Sequence, residues 1–247
     1  MSECYSSLAL VYDDMMSYVP YDNWVLTINY VVENYFTLEK PSIFEIGGGT
    51  GTLGARLSYE GYEYTGSDVS PEMCEVAWAK GLDMICTDCR AISLKEKYDL
   101  LLFLFDGINY LENLADYAET FISVATIVRT DGYFLFDVTT EVNSLTNFDD
   151  YHEAESFERG AYIRHSYYEP ENHRQVNDFE IFVQDANNSQ SYSRVSEQHC
   201  QTLFSVEQIK ATIPLDLFDI VAIWDGFSQD DVHDTSERVH FLLKRKA

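Results

Sequence analysis

Apolar and polar residues recur along the first half of the chain in a pattern that predicts alternating strands and helices. Residues 42–46 form a short apolar run typical of a buried strand, and 52–59 place leucines on one face of a predicted helix. Residues 62–67 and 133–138 also read as strands, and 98–105 is almost continuously apolar, as a central parallel strand is. This alternation predicts an α/β fold built on a mainly parallel sheet.

The alternation stops at residue 139. The segment 139–203 loses the helix–strand rhythm and is rich in aromatic and β-branched residues. Its three strand-like stretches are 152–168, 174–185 and 191–204. We expect them to form a separate antiparallel sheet, which either caps the active site or provides the face of a homodimer.

The chain therefore divides into three predicted regions. Residues 1–40 carry apolar side chains at helical spacing and predict an N-terminal helical lid. Residues 41–138 and 204–247 form the predicted ligand-binding domain, which ends in an antiparallel hairpin of two strands. Residues 139–203 are the antiparallel β insertion.

A glycine-rich turn follows the first strand. Glu45 stands before four glycines within 47–51, and a strand–turn–helix unit presents N–H groups and a helix dipole to a ligand. Residues 49–54 also match the G-x-G-x-x-G motif of NAD-binding proteins. A carboxylate here would repel a pyrophosphate but can organise water and N–H groups around an ammonium. The turn therefore favours S-adenosylmethionine (SAM), which carries an ammonium, over NAD.

Acidic residues follow the next two strands at spacings that suit a nucleoside. Asp68 lies 17 residues after Gly51, near the ~20 expected for the acid that binds a ribose diol. Asp88 can accept a hydrogen bond from an adenine amino group, and the backbone N–H of Cys89 can donate to the ring. Met73 suits packing over the adenine, although packing in the core explains it equally well.

Candidate acceptor-side groups follow the central strand and return from the insertion. Asp106, Asn109 and Tyr110 come at the carboxyl end of that strand, where α/β enzymes bind their substrates. His199 is the best candidate for a general base, because its segment leads back to the core and a free imidazole titrates near ~6.5. A histidine in a strand more often has a structural role. Tyr12 lies where a lid would close.

Composition narrows the class of partner. The 247 residues carry 16 basic and 42 acidic side chains, which gives a net charge of −26. This charge argues against nucleic-acid binding and favours a cationic or amine acceptor. An acidic surface that only serves solubility is the alternative explanation.

No apolar run reaches the ~20 residues of a membrane span, and no signal peptide is evident. Five scattered cysteines suit a reducing cytoplasm. Cys86-x-x-Cys89 lacks a second pair, so no metal site is predicted.

The motifs together resemble the class I SAM-dependent methyltransferases. The resemblance is carried by the acid–glycine motif at 45–51, by Asp68 and Asp88, and by the segment 104–110, all in the family's order. Tyr12-Asp13 and Asn109-Tyr110 further resemble bacterial small-molecule N-methyltransferases, a subgroup that includes sugar N,N-dimethyltransferases and has a β-rich insertion.

The resemblance implies a seven-stranded Rossmann-like sheet with a C-terminal antiparallel hairpin, an inserted antiparallel sheet, and SAM as cofactor. The implied cofactor-binding residues are Tyr12, Glu45, Gly47, Gly49, Gly51, Asp68, Val69, Met73, Asp88, Cys89, Phe105 and Asp106. The implied catalytic residues are His199, Tyr12 and Asn109. The chain departs from the family at Gly48, where Cys is frequent, and at 214–219, where Gly-Phe is usual.

Three functions remain open at this point. The first is methyl transfer to a small-molecule amine or hydroxyl. The second is methylation of RNA or of a ribosomal component, which the charge of −26 disfavours. The third is SAM binding without catalysis, which the intact set of predicted pocket residues disfavours.

Overall fold

The computed structural model describes residues 8–185 and 188–247. Its strands are β1 (Ile43–Ile46), β2 (Tyr64–Asp68), β3 (Met84–Cys86), β4 (Tyr98–Phe103), β5 (Val128–Thr139), β6 (Tyr151–Phe157), β7 (Gly160–Glu169), β8 (Arg174–Asp185), β9 (Asn188–Thr202), β10 (Phe218–Asp225) and β11 (Arg238–Arg245). Its helices are α1 (Tyr12–Met15), α2 (Asp22–Tyr35), α3 (Thr52–Tyr59), α4 (Pro71–Ala79), α5 (Leu114–Ile127), α6 (Glu141–Asn147) and α7 (Val206–Thr212). Single 3-10 turns lie at Leu8–Leu10, Cys89–Ala91 and Gly107–Tyr110.

The larger sheet has seven strands in the order β10-β11-β5-β4-β1-β2-β3. Strands β1 to β5 are parallel to one another, whereas β11 is antiparallel to both β5 and β10. The predicted fold and its closing hairpin are confirmed. The chain order reverses between β1 and β4, and ligands of open α/β sheets bind at the carboxyl ends of strands at such a switch point.

The apolar pattern of the strands places the core on both faces of this sheet. Leu100 to Leu102 in β4 have no exposed surface, as expected for a central strand. On one face the sheet is covered by α2 and α3, through Ile28, Val31 and Leu57. On the other face it is covered by α5 and α7, which pack against the aromatic residues of β5 and β11.

The second sheet has four antiparallel strands in the order β6-β7-β8-β9. This confirms the predicted insertion of a separate antiparallel sheet. The stretch 152–168 predicted as one strand is two strands, β6 and β7, because the chain turns at Glu158-Arg159. The range predicted as sheet also begins with a helix, α6, in which the side chain of Thr140 caps the N-terminus by accepting from the N–H of Asn143.

The N-terminal region joins the two sheets. The helical lid was predicted over 1–40; residues 1–7 lie outside the described chain, and the following segment is a 3-10 turn and the four-residue α1. Leu8, Val11 and Met15 pack against Tyr162 and Phe179 of the insertion. No helix in the described part of the chain is long and apolar enough to cross a membrane.

Candidate active site

The glycine turn lies between β1 and α3 and has the backbone conformation that its sequence requires. Gly47, Gly49 and Gly51 have φ angles of 65°, 56° and 79°, in the left-handed region that favours glycine. A Cβ atom at Gly51 would lie 2.3 Å from Cδ1 of Leu82. The tight turn therefore accepts no larger residue at this position, and its backbone borders an open pocket together with Tyr12 and Glu45.

Glu45 lies at the base of this pocket with its side chain almost fully buried. Its Oε2 atom accepts a hydrogen bond of 2.5 Å from the hydroxyl of Tyr64. Burial raises the pKa of Glu45 to about 7, against the lowering effect of the Tyr64 hydrogen bond. A ligand ammonium placed here would favour the charged carboxylate, as predicted for the ammonium of SAM.

Glu45→Gln is expected to change how stability depends on pH. The pKa of Glu45 in the ligand-free folded protein is raised to about 7, from about 4.5 in the unfolded chain. The unfolded chain therefore releases this proton at a lower pH than the folded protein does. As a result, the free energy of unfolding falls as pH rises from about 4.5 to 7. Glutamine keeps the acceptor for Tyr64 and does not titrate. Urea unfolding at pH 5 and pH 8 should show a loss that is roughly 3 kcal/mol larger in the wild type than in the variant. Equal losses in both proteins would contradict this.

Asp68 ends β2 and its carboxylate closes the glycine turn. Its Oδ2 atom accepts from the N–H of Gly49 at 2.9 Å, and its Oδ1 atom accepts from the N–H of Ser70 at 2.9 Å. Burial raises the pKa of Asp68, against the effect of these hydrogen bonds. The carboxylate is therefore fixed beside the turn, and each oxygen keeps a further lone pair for a ribose hydroxyl.

Asp68→Ala is expected to weaken SAM binding by about 1–3 kcal/mol, because ribose hydroxyls would lose their acceptors and the turn would lose two supports. Isothermal titration calorimetry with S-adenosylhomocysteine measures this directly. Asp83→Ala, an exposed acid ahead of β3, is the matched control. Equal affinities for the wild type and Asp68→Ala would remove Asp68 from the binding site.

The predicted adenine-side residues lie around the ends of β2 and β3. Val69 is half exposed and Met73 is buried, with its Sδ atom about 4.0 Å from a Cβ built on Gly49. Asp88 binds Arg90 through both oxygens, and the Arg90 side chain lowers the pKa of Asp88. Sequence reasoning missed this partner.

The side chain of Cys89 contacts a residue of α5. Its Sγ atom lies 3.5 Å from Oγ1 of Thr120, and burial raises its pKa to about 11. Both cysteines are free thiols. A role for Cys89 in cofactor binding therefore rests on its backbone.

The lid is tied directly to the glycine turn. Oδ1 of Asp13 accepts from the hydroxyl of Thr50 at 2.6 Å and from that of Thr52 at 3.0 Å, and its Oδ2 atom lies 2.5 Å from Nζ of Lys80. The neighbouring Tyr12 is thereby placed in the pocket, where burial raises its pKa well above the usual value. Tyr12 therefore lines the pocket beside the glycine turn, and its roles in cofactor binding and catalysis stay predictions.

The carboxyl end of β4 has a strained backbone. Phe105 and Asp106 have φ angles of 64° and 50°, which side-chain-bearing residues rarely adopt. The Phe105 ring packs between Tyr21 and Trp24, at centroid distances of 5.8 Å and 4.7 Å. The helical spacing of apolar residues in 1–40 did not predict that Tyr21 and Trp24 border the pocket.

Asp106 belongs to a charge network that sequence reasoning did not find. Its carboxylate accepts from Arg238 Nη2 at 2.5 Å and from Gln201 Nε2 at 2.5 Å. Arg238 Nη1 also donates to the fully buried Asp137 at 2.7 Å, and Asp137 accepts from the N–H of Asp106 at 2.7 Å. Burial raises the pKa of Asp106 although Arg238 opposes this. Burial disfavours the charge of Arg238, but Asp137 and Asp106 raise its pKa.

Asn109 was predicted to be catalytic, and its side chain hydrogen-bonds to the backbone at the ends of two strands. Its Oδ1 atom accepts from the N–H of Thr139, and its Nδ2 atom donates to the carbonyls of Thr139 and Thr202. The side chain has no exposed surface. Because both amide protons are used by the backbone, Asn109 joins the ends of β5 and β9 beside the site and is not available to contact an acceptor.

Tyr110, His199 and Glu197 form a chain between the main sheet and the insertion. His199 Nδ1 lies 3.4 Å from the hydroxyl of Tyr110, and His199 Nε2 lies 3.3 Å from Oε2 of Glu197. Oε1 of Glu197 accepts from the N–H of Leu8 in the lid at 3.1 Å. His199 is 1% exposed, and Tyr110 is its hydrogen-bonding neighbour from the main domain. The carboxylate of Glu197, which the sequence did not single out, orients the imidazole and the lid together.

The residues of the pocket fit SAM. The glycine turn leaves room that a Cβ atom would fill, and Glu45, Asp68 and the backbone around Cys89 offer the acceptors and donors that its ammonium, ribose and adenine need. Tyr12 on the lid and Phe105 after β4 also line the pocket.

Comparison with known proteins agrees with this reading. A family model described as "Methyltransferase domain" matches residues 27–212. The putative methyltransferase YqeM of Bacillus subtilis (strain 168) is 30% identical, with 98% of this chain and 97% of that protein covered.

Two solved structures share the fold. A SAM-dependent methyltransferase from Clostridium acetobutylicum ATCC 824 is 24% identical, with a TM-score of 0.79 and coverage of 99% of this chain and 100% of that one. The sugar N-methyltransferase KedS8 from Streptoalloteichus sp. ATCC 53650 is 18% identical, with a TM-score of 0.78 and coverage of 100% and 94%. The chain therefore belongs to the methyltransferase domain family, and it is a SAM-dependent methyltransferase.

Proposed function

We propose that this enzyme transfers the methyl group of SAM to a small-molecule amine. The observation that carries the proposal is the buried chain Glu197–His199–Tyr110, which ends at the carboxyl edge of β4 next to Asp106. This chain provides a group that can take a proton. It lies on the side of the pocket where we place the molecule that receives the methyl group, beneath the N-terminal lid. A small molecule fits a pocket of this size beneath a lid, whereas a folded RNA does not.

SAM supplies an activated methyl group on a sulfonium, which is already a good leaving group. The protein must then hold the acceptor in line with that methyl and exclude water. Tyr12 and Phe105 cover the reacting end of the pocket, and Tyr110 holds the acceptor by its hydroxyl. His199 takes the proton that the amine loses, through Tyr110, while Glu197 stabilises the imidazolium.

Charge supports an amine more than an anion. Glu45, Asp68, Asp106 and Glu197 surround the site, and Arg238 is already bound by two carboxylates. A protonated amine is attracted by this field and loses its proton on the way to reaction. KedS8, a sugar N-methyltransferase by its printed description, supports N-methylation in the same fold. The chain's net charge of −26 speaks against RNA, which would need a basic surface.

A transfer assay with SAM labelled in its methyl group tests the proposal. The purified enzyme would be incubated with a size-fractionated cell extract, with one arm enriched in metabolites below ~1 kDa, one in ribosomal and transfer RNA and one in protein. We expect the label in an amine of the metabolite arm. Label in the RNA or protein arm alone would contradict the proposal, and label on an alcohol would replace N-methylation by O-methylation.

A cytoplasmic location belongs to the same proposal. The described cysteines Cys74, Cys86, Cys89 and Cys200 are all free thiols, as expected in a reducing compartment.

A further inference from the structure

We propose that the insertion carries a binding site for a divalent transition-metal ion, formed by Asp150, His152 and His165. One atom of each side chain lies within 4.8 Å of the others. Oδ1 of Asp150 is 3.1 Å from Nε2 of His165 and 3.5 Å from Nε2 of His152. The sequence predicted no metal site, because the two histidines are 13 residues apart and only strand pairing brings them together.

The strand register explains the geometry. His152 in β6 and His165 in β7 are direct partners across the antiparallel pair, and their rings stack with centroids 4.2 Å apart. Asp150 lies just before β6 and has a left-handed backbone, with a φ of 56°. Its carboxylate contacts both His152 and His165.

The distances match those around a bound zinc ion. Ligand atoms at ~2.0–2.1 Å from a tetrahedral zinc lie about 3.3 Å from one another, close to the separations of 3.1 Å and 3.5 Å between Oδ1 of Asp150 and the two Nε2 atoms. The ring planes are 23° apart, so the rings rotate relative to each other when both Nε2 atoms bind one ion. Two imidazoles and one carboxylate favour zinc, nickel or copper over magnesium and calcium, which prefer oxygen ligands. The fourth position would be filled by water, since the three side chains are exposed or half exposed.

This site is separate from the methyl-transfer site. Successive residues of a strand point to opposite faces, and the row His152–His165–Asp178 lies on the outer face of the insertion, while Ser166, Asn177 and His199 are buried on the inner face. A metal here would cross-link β6, the edge strand of the insertion, to β7. The proposal does not depend on the identity of the acceptor.

Zinc titration of the metal-free protein by calorimetry, with an excess of magnesium to mask weak acidic sites, tests the proposal. We expect one zinc ion per chain and a rise in melting temperature with zinc. His152→Gln and His165→Gln should each weaken binding at least about 10–100-fold, since even the loss of a second-shell partner costs that much. The matched controls are His173→Gln and His233→Gln, exposed histidines that each face a single acid and no second histidine.

Absence of stoichiometric zinc binding would overturn the proposal. So would binding that His152→Gln and His165→Gln leave unchanged, or that the two control variants weaken equally. Far-ultraviolet circular dichroism of each variant separates loss of the site from loss of the fold. The four histidine side chains that are replaced are exposed or half exposed. We therefore expect all four variants to remain folded.

Discussion

Replacing Arg238 by methionine is expected to lower the free energy of unfolding by about 3 kcal/mol. The change removes the cation shared by Asp106 and the fully buried Asp137 and leaves two carboxylates close together with no counter-charge. Breaking a buried ion pair typically costs ~3–5 kcal/mol, and the 20% exposure of the Arg238 side chain places the expected value at the lower end. Urea unfolding at pH 7.5 measures the loss.

Arg129→Met is the matched control for this prediction. Arg129 makes a single ion pair with Asp99 and is half exposed, so its replacement should cost less than about 1 kcal/mol. The deficit of Arg238→Met should also shrink as pH falls, because protonation removes the repulsion between the two carboxyls. A deficit equal to that of Arg129→Met, or one that does not change with pH, would show that the network is not a major support of the site.

Replacing His199 by asparagine is expected to lower kcat by about 10²–10⁴-fold while the affinity for SAM stays unchanged. Asparagine preserves hydrogen bonding to the neighbours of His199 but cannot take a proton from Tyr110. Tyr110→Phe should produce a loss of the same order, because it interrupts the same proton path. Steady-state kinetics with the identified acceptor, measured across pH 6 to 9, gives both quantities.

Two comparisons distinguish catalysis from packing at His199. Glu197→Gln should retain the position of the imidazole and lower kcat less than His199→Asn, with a shift of the pH profile. His173→Asn, in the exposed turn between β7 and β8, should leave kcat unchanged. If His199→Asn lowers the melting temperature and leaves kcat near the wild-type value, His199 is structural.

The cofactor side of the site could be predicted from the sequence because its chemistry is local. The glycine turn, Glu45 and Asp68 each follow directly from a strand end, and the required φ angles exclude most other residues at Gly47 and Gly51. The seven-stranded sheet and its hairpin were implied by the resemblance to the methyltransferase family, and the structure confirms them. The binding roles of Glu45 and Asp68 stay predictions.

The acceptor side could not be predicted in the same way because its partners are distant in sequence. Arg238 lies 132 positions from Asp106, and Gln201 lies 95 positions from it. Neither residue belongs to a local motif, and only the closing hairpin and the return of β9 bring them together. Asn109 illustrates the opposite error, since an amide at a strand end suggested chemistry while the backbone of two other strands uses it.

We expect the SAM pocket and the chain Glu197–His199–Tyr110 to meet in one cavity. A crystal structure with S-adenosylhomocysteine tests it most directly, through the distance from the cofactor sulfur to the hydroxyl of Tyr110 and to the ring of His199. We expect the adenosine on Asp68 and the sulfur within ~10 Å of the His199 ring, so that an acceptor and at most one water complete the path. A sulfur farther away, or a cofactor bound outside the glycine turn, would contradict the account.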